Sequence, residues 1–298
     1  MNLAPDSLPV LPVRGQIVAA FGRQYLVEIA NGEVLSCVLR GKKSGAVCGD
    51  QVQVKRTTVG QGVIEAISPR NTLIYRSNTA RKKLIAANIT QIIIVISAVP
   101  SFDEDLVNRC LVTAENQNIK ALIVLNKTDL INPTRAVLPK LSLYQKIGYT
   151  LLQLSAEKDI TPLLPYLQGH LNVLVGQSGM GKSTLINALI PDADRATAKI
   201  SNTLDSGRHT TTHAQLYHLD KNTHIIDSPG IQEFGLHHIS NTDLVWGFIE
   251  FHPYIGRCKF SDCLHINEPN CALDRAVQEN KIDPRRLGFY RKLIAHKM

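Results

Sequence analysis

The sequence has 298 residues, is 44% apolar and carries a formal net charge of +8. That length accommodates two or three domains with sizeable cores, and the composition excludes a disordered or fibrous chain. The basic balance favours a polyanionic partner. No apolar run is long enough to span a bilayer; the longest, around Ile92–Val99 and Ala121–Leu125, suit buried strands. The N-terminus has Asp6 and several prolines but no basic region followed by an apolar stretch, so a cytoplasmic protein without membrane association is expected.

In chain order, residues 13–68 carry five short alternating segments: Gln16–Ala20, Tyr25–Ile29, Val34–Val38, Gln51–Lys55 and Gly62–Ile67. Turn residues separate them, including Asn31-Gly32 and Gly49-Asp50. This pattern predicts a small β-barrel over 13–70, with an OB-fold as leading candidate and an SH3-like module as the alternative. Residues 71–84 look like a connector carrying Arg76, Arg81, Lys82 and Lys83. From Ile89 onward β-rich runs (Ile92–Ser97, Ala121–Leu125, Leu151–Leu154, Asn172–Val175, His224–Ile226) alternate with helix-compatible stretches (Glu104–Gln117, Ala136–Ile147, Pro162–Leu167, Lys182–Leu189). The alternation predicts an α/β domain with a parallel sheet over 71–234. After Gly235 histidines, aromatics and cysteines dominate, then a basic tail; a third, helical domain is expected over 235–298. Trp246, Phe248 and Phe251 read as core. Arg285, Arg286, Arg291 and Lys292, on a helix begun by Asp283-Pro284, offer either an RNA contact or a solvated face.

Gly176-Gln177-Ser178-Gly179-Met180-Gly181-Lys182-Ser183 follows the apolar run Leu171–Val175 and opens a helix. This is a phosphate-binding loop: glycines let successive N–H groups point inward at a helix N-terminus. Lys182 reaches the β- and γ-phosphates and the Ser183 hydroxyl ligates Mg²⁺, with Thr184 beside them. The base is chosen elsewhere. Asn126-Lys127-Thr128-Asp129 follows a strand, where a parallel sheet presents its ligand edge. The Asp129 carboxylate can accept both N1–H and the 2-amino group of guanine, a pairing that adenine cannot satisfy. Asn126 ties loops together and the Lys127 stem covers the base. Ser155-Ala156, after the next strand, is expected to turn the Ala156 N–H toward guanine O6. Asp227-Ser228-Pro229-Gly230 lies 44 residues beyond Ser183; there Asp227 holds Mg²⁺ through water and the Gly230 N–H senses the γ-phosphate.

In ordinary GTPases the phosphate loop comes first. Here the guanine motif precedes it by 50 residues, a circular permutation that joins old ends and opens new ones at a surface loop. The segment after Gly230 then leads directly into the C-terminal domain, so a nucleotide switch can move that domain. The position after Gly230, where many GTPases carry a water-orienting Gln, is Ile231; Gln232 is one residue too late. Three thiols and an imidazole, Cys258, Cys263, His265 and Cys271, fall within fourteen residues and suit a closed structural Zn²⁺ site, one per chain, with His252 as a rival nitrogen ligand. Cys37, Cys48 and Cys110 read as small buried apolar residues.

These motifs, their order and the flanking modules closely resemble the RsgA (YjeQ) family of small-ribosomal-subunit biogenesis GTPases, over nearly the whole chain. The resemblance implies maturation of that subunit, GTP hydrolysis to GDP and phosphate stimulated by it, and contact with its rRNA; a monomer is expected. Gly207-Arg208-His209-Thr210-Thr211-Thr212 is similar to the family's switch segment. It implies that His209 orients or polarises the attacking water and that Thr211, with Thr210 next, adds a Mg²⁺ ligand. A second reading is an OB/zinc nucleic-acid-binding protein whose phosphate loop serves another phosphoryl transfer, such as an ATPase or kinase; Asp129 discriminates between them.

Overall fold

In the computed structural model the residues described are 12–41, 45–78, 81–191, 214–227, 236 and 239–295. Five strands open the chain: β1 (Val13–Phe21), β2 (Gln24–Ile29), β3 (Val34–Leu39), β4 (Gln51–Thr58) and β5 (Gln61–Ile67). They pair in the order β1-β2-β3-β5-β4, and β4 returns to β1, closing a barrel in which only β3 and β5 are parallel. That is the Greek-key order of an OB-type barrel. Alternation along each strand sends Ile17, Val27, Leu35, Cys37, Val52, Val54 and Ile64 inward as one core.

The segment expected as a connector is instead a hairpin, β6 (Leu73–Asn78) with β7 (Arg81–Ala87). Its apolar residues Ile74, Ile85, Ala86 and Ala87 are buried. The polar, basic tip masked this period in the sequence. Arg70, just before the hairpin, forms a bidentate pair with the buried Asp50 (2.7 and 2.7 Å), whose carboxylate also accepts the Val47 N–H at 2.8 Å.

The α/β unit follows as β8 (Gln91–Ser97), α1 (Glu104–Asn116), β9 (Lys120–Asn126), α2 (Ile131–Lys146), β10 (Thr150–Gln153), α3 (Leu164–Leu167), β11 (Leu171–Val175), α4 (Lys182–Leu189), β12 (Gln215–His218) and β13 (His224–Asp227). The order across the sheet is β10-β9-β8-β11-β13-β12, parallel except for β12. Every residue of β8 and β11 is buried, as expected for central strands covered on both faces. Helix α2 begins five residues before the expected Ala136, because Pro133 is tolerated in a first turn. Among the described residues, β12 joins β1 at one register pair, Ala19 with Gln215, so barrel and α/β unit share a continuous sheet.

The C-terminal part contains α5 (Asn241–Leu244), short 3₁₀ turns, α6 (Ala272–Gln278) and α7 (Pro284–Ala295). Phe248 and Phe251 stack at 4.7 Å in its core, as expected, but Trp246 is 51% exposed. Trp246 leans on His252, whose Nε2 pairs with the Trp246 carbonyl. The basic tail is not a free cationic face. Arg286 is fully buried, donating to Glu250 (Nε, 2.5 Å) and to Asn108 of α1 (2.8 Å) over the Phe248 ring. Arg291 Nη2 donates to both carboxylate oxygens of Asp274, Lys292 pairs with Asp105, and Arg285 pairs with Asp283 and Glu104. Partners from distant segments cannot be read from the tail alone. Removing one member of a buried pair strands the other charge. Glu250→Ala should therefore destabilise the protein by about 3–5 kcal/mol in urea unfolding, whereas replacing Arg286 and Glu250 together by Met and Leu should cost much less.

Candidate functional site

The C-terminal ends of β8, β9, β10, β11 and β13 converge on one edge of the sheet, where ligands of such sheets bind. Two glycines let the phosphate loop pack there. Gly176 (φ +155°) passes so close to β8 that a Cβ would lie 2.2 Å from the Val95 carbonyl oxygen. Gly181 (φ +90°) caps α4, and a Cβ on it would lie 2.2 Å from Asn126 Nδ2. Any side chain at either position is excluded by both conformation and space.

Asn126 is the tie that the sequence suggested. Its buried amide donates to the Met180 carbonyl (2.9 Å) and accepts from the Ala156 N–H (2.9 Å), joining three loops. Lys127 (φ +62°) donates to the carbonyls of Gly179 (2.6 Å) and Val99 (3.2 Å). Thr128 N–H donates to the Leu154 carbonyl, fixing the loops after β9 and β10 together. Asp129 is held below the usual carboxylate range, first by a hydrogen bond from Ser155 and then by Lys158 and Lys127, so it is anionic at neutral pH. Asp129, Ser155, Ala156, Gly181 and Thr184 line one cleft of about 190 Å³ with Asn126 and Lys127. The Ala156 N–H, expected to face guanine O6, is engaged with Asn126 here.

On the phosphate side Lys182 folds onto its own loop, donating to the carbonyls of Gly176 (2.6 Å) and Gln177 (2.7 Å). Burial lowers its pKa, and the nearby Asp227 partly offsets this. Ser178 and Gly179 are exposed, Met180 is buried, and Ser183 is exposed at the start of α4. Asp227 ends β13, two strands from β8. His209, Thr210, Thr211, Gly230, Ile231 and Gln232 lie outside the described residues.

Sequence reasoning missed the wall formed by the β8–α1 loop. Ser97 Oγ donates to the Val99 carbonyl (3.0 Å), Pro100 lies 3.2 Å from where a Gly179 Cβ would be, and Gln177 Oε1 accepts the Asp103 N–H at 2.7 Å. Leu130 and Glu157 also line the cleft. Asp103 as the N-cap of α1 was the available signal for the loop; nothing in the sequence pointed it at the phosphate loop.

The four cysteine and histidine positions also come together. Cys258, Cys263, His265 and Cys271 place their ligand atoms within 4.8 Å of one another, and the thiols are free. His265 Nδ1 lies 3.4, 3.6 and 3.4 Å from the sulfurs of Cys258, Cys263 and Cys271. A tetrahedral Zn²⁺ with bonds of roughly 2.0–2.3 Å sets its ligand atoms about 3.4–3.8 Å apart, so the donor set fits that ion. His252, bound to the Trp246 carbonyl, is not part of the cluster. Glu268 accepts three N–H groups across the turn, and Arg291 and Tyr290 of α7 donate to the His265 and Leu264 carbonyls, fixing the knuckle from outside.

A model of the RsgA GTPase family matches residues 67–237. The chain is 63% identical over 284 residues to the small ribosomal subunit biogenesis GTPase RsgA of Nitrosospira multiformis, spanning 95% of this chain and 91% of that protein. The chain belongs to the RsgA GTPase family. It is a circularly permuted GTP hydrolase. A crystal structure of YjeQ from Thermotoga maritima, 30% identical, superposes with a TM-score of 0.75 over 96% of this chain and 99% of that one. YloQ, a circularly permuted GTPase 26% identical to this chain, gives 0.72 over 99% and 98%. The permutation is visible in the strands: β8–β10 precede the phosphate-loop strand β11 in the chain and line up on one side of it in the sheet, with β8 as its neighbour. Protein purified without chelators should carry one zinc per chain by metal analysis, and chelation should lower its thermal midpoint; substoichiometric zinc would remove the metal from the knuckle.

Proposed function

We propose that this GTPase binds the small ribosomal subunit, contacts its rRNA and assists its late maturation in the cytoplasm, acting as a monomer. The names of its relatives support the substrate, and the observation that carries the nucleotide chemistry is the cleft shared by Asp129 and the phosphate loop. Three units divide the work: the barrel (13–70), the GTPase unit (71–234) and the zinc-bearing helical unit (235–298).

In this reading Asp129 accepts N1–H and the 2-amino group of guanine, Lys127 covers the ring, and the Ser155–Ala156 loop, held by Asn126, closes on the O6 side. Thr128 and Thr184 flank the base and the α-phosphate. The N–H groups of residues 177–183 wrap the phosphates. Lys182 exchanges two neutral carbonyls for charged phosphate oxygens, a stronger pairing. Ser183, Asp227 and Thr211 would hold Mg²⁺, which when bound neutralises charge on the β- and γ-phosphates. The Gly230 N–H reads the γ-phosphate and His209 positions the attacking water. Cys258, Cys263, His265 and Cys271 would hold a structural Zn²⁺.

The reading is tested by measuring GTP hydrolysis with and without purified small ribosomal subunits; equal rates would sink it. Asp129→Asn should weaken GTP binding at least 100-fold and favour xanthosine triphosphate, since the amide complements the xanthine edge; retained guanine preference would move the base site elsewhere. His209→Ala should lower subunit-stimulated turnover by about 10²-fold with nucleotide affinity nearly intact. Unchanged turnover removes His209 from the chemistry.

A further inference from the structure

We propose that β12 is a lever through which the barrel sets the position of Asp227, and that Glu28 and His218 are the positioning residues that fasten it. The inference rests on the GTPase reading above and concerns how contact with the subunit reaches the nucleotide.

Strand β12 has four residues and is held at both ends by the barrel. At its first residue, Gln215 pairs with Ala19 of β1 on one side and with Asp227 of β13 on the other. Ala19, Gln215 and Asp227 thus form one row across the sheet, with Ala19 and Gln215 buried. Two strand spacings of about 4.8 Å put the barrel backbone roughly 10 Å from the Asp227 backbone. At its last residue, His218 faces His224 in register, Nδ1 to Nδ1 at 2.8 Å with the rings edge-to-face. The His218 Nε2–H donates to the carboxylate of Glu28 on β2 at 2.6 Å. Two neighbouring barrel strands therefore grip the two ends of one short strand.

The β1–β12 seam is short among the described residues, with one rung at Ala19–Gln215, and so short a ladder resists slippage little by itself. The Glu28–His218 pair, continued to His224 at the start of β13, resists that slippage, so a rotation of the barrel is carried into β12 and β13 instead of being absorbed at the seam. What lies next to β12 gives this consequence. Asp227 is across the rung. A barrel seated on a large, rigid partner would then bias Asp227, a group assigned to Mg²⁺ above. A bistable element shared by two sites is what energetic coupling requires.

The test uses full-length protein with Glu28→Ala, His218→Ala, the double variant and Glu28→Gln, which keeps an acceptor for the His218 N–H. Hydrolysis is measured without subunits and as a function of subunit concentration. Basal turnover should stay within about two-fold, because exposed pairs contribute little to stability. Stimulated kcat should fall about ten-fold in both alanine variants, with the half-saturating subunit concentration unchanged. The double variant should be no worse than either single one, and Glu28→Gln should recover part of the loss. Unchanged stimulated kcat, or a loss wholly in the half-saturating concentration, would overturn the lever. Amide hydrogen exchange without ribosomes separates this from failure of the ribosomal reading. A non-hydrolysable GTP analogue, compared with GDP, should alter exchange in β1 and β2 of the wild type and not of Glu28→Ala. Identical exchange in the two nucleotide states of the wild type would overturn the lever whatever the subunit does.

Discussion

One buried carboxamide organises the edge of the sheet where the candidate site lies. Asn126 donates to a carbonyl 54 residues later and accepts from an N–H 30 residues later, and both bonds are shielded from water. Each loop it joins follows a different strand, and each would be a separate surface loop without it. The amide offers a donor and an acceptor on one rigid plane, so it fixes the spacing between the base-side loops and the phosphate loop at once. An aspartate would lose the donor; a leucine would leave a buried carbonyl and a buried N–H unpaired, at about 1–3 kcal/mol each. The adjacent Gly181 follows from the same contact, because nothing larger fits against the Asn126 nitrogen.

The permutation is tolerated for a related reason. A parallel sheet is held by ladders and face packing, which depend on which strands are neighbours and not on the order in which the chain visits them. Strand β10 pairs with β9, β9 with β8, and β8 with β11, each in register. What permutation changes is connectivity to the flanking modules. The barrel borders β12, and in the sequence the strand ending at Asp227 is followed by the C-terminal unit.

The C-terminal unit is fastened to α1 by charge and by packing. Arg286 crosses from α7 to Asn108, Lys292 to Asp105, and Gly247 packs so closely on α1 that a Cβ would lie 2.7 Å from a Val112 methyl. Helix α1 is capped by Asp103, whose N–H donates to Gln177 Oε1 of the phosphate loop. The cysteine–histidine knuckle and the phosphate loop are thus linked through α7 and α1 by a continuous series of contacts.

The phosphate loop, the guanine tetrapeptide, the permuted order and the cysteine–histidine set were all legible in the chain, because each is a local run whose chemistry depends on residue type and spacing. The five barrel strands and the central strands were legible from their period. The hairpin at 73–87, the exposure of Trp246 and the internal pairing of the basic tail were not, since each depends on a partner far away in the chain. The same holds for the Val99–Pro100 wall and for the row Ala19–Gln215–Asp227. The sequence by itself determined which chemistry is present; tertiary structure alone decided which groups meet, because burial and pairing belong to contacts between segments and no single segment records them.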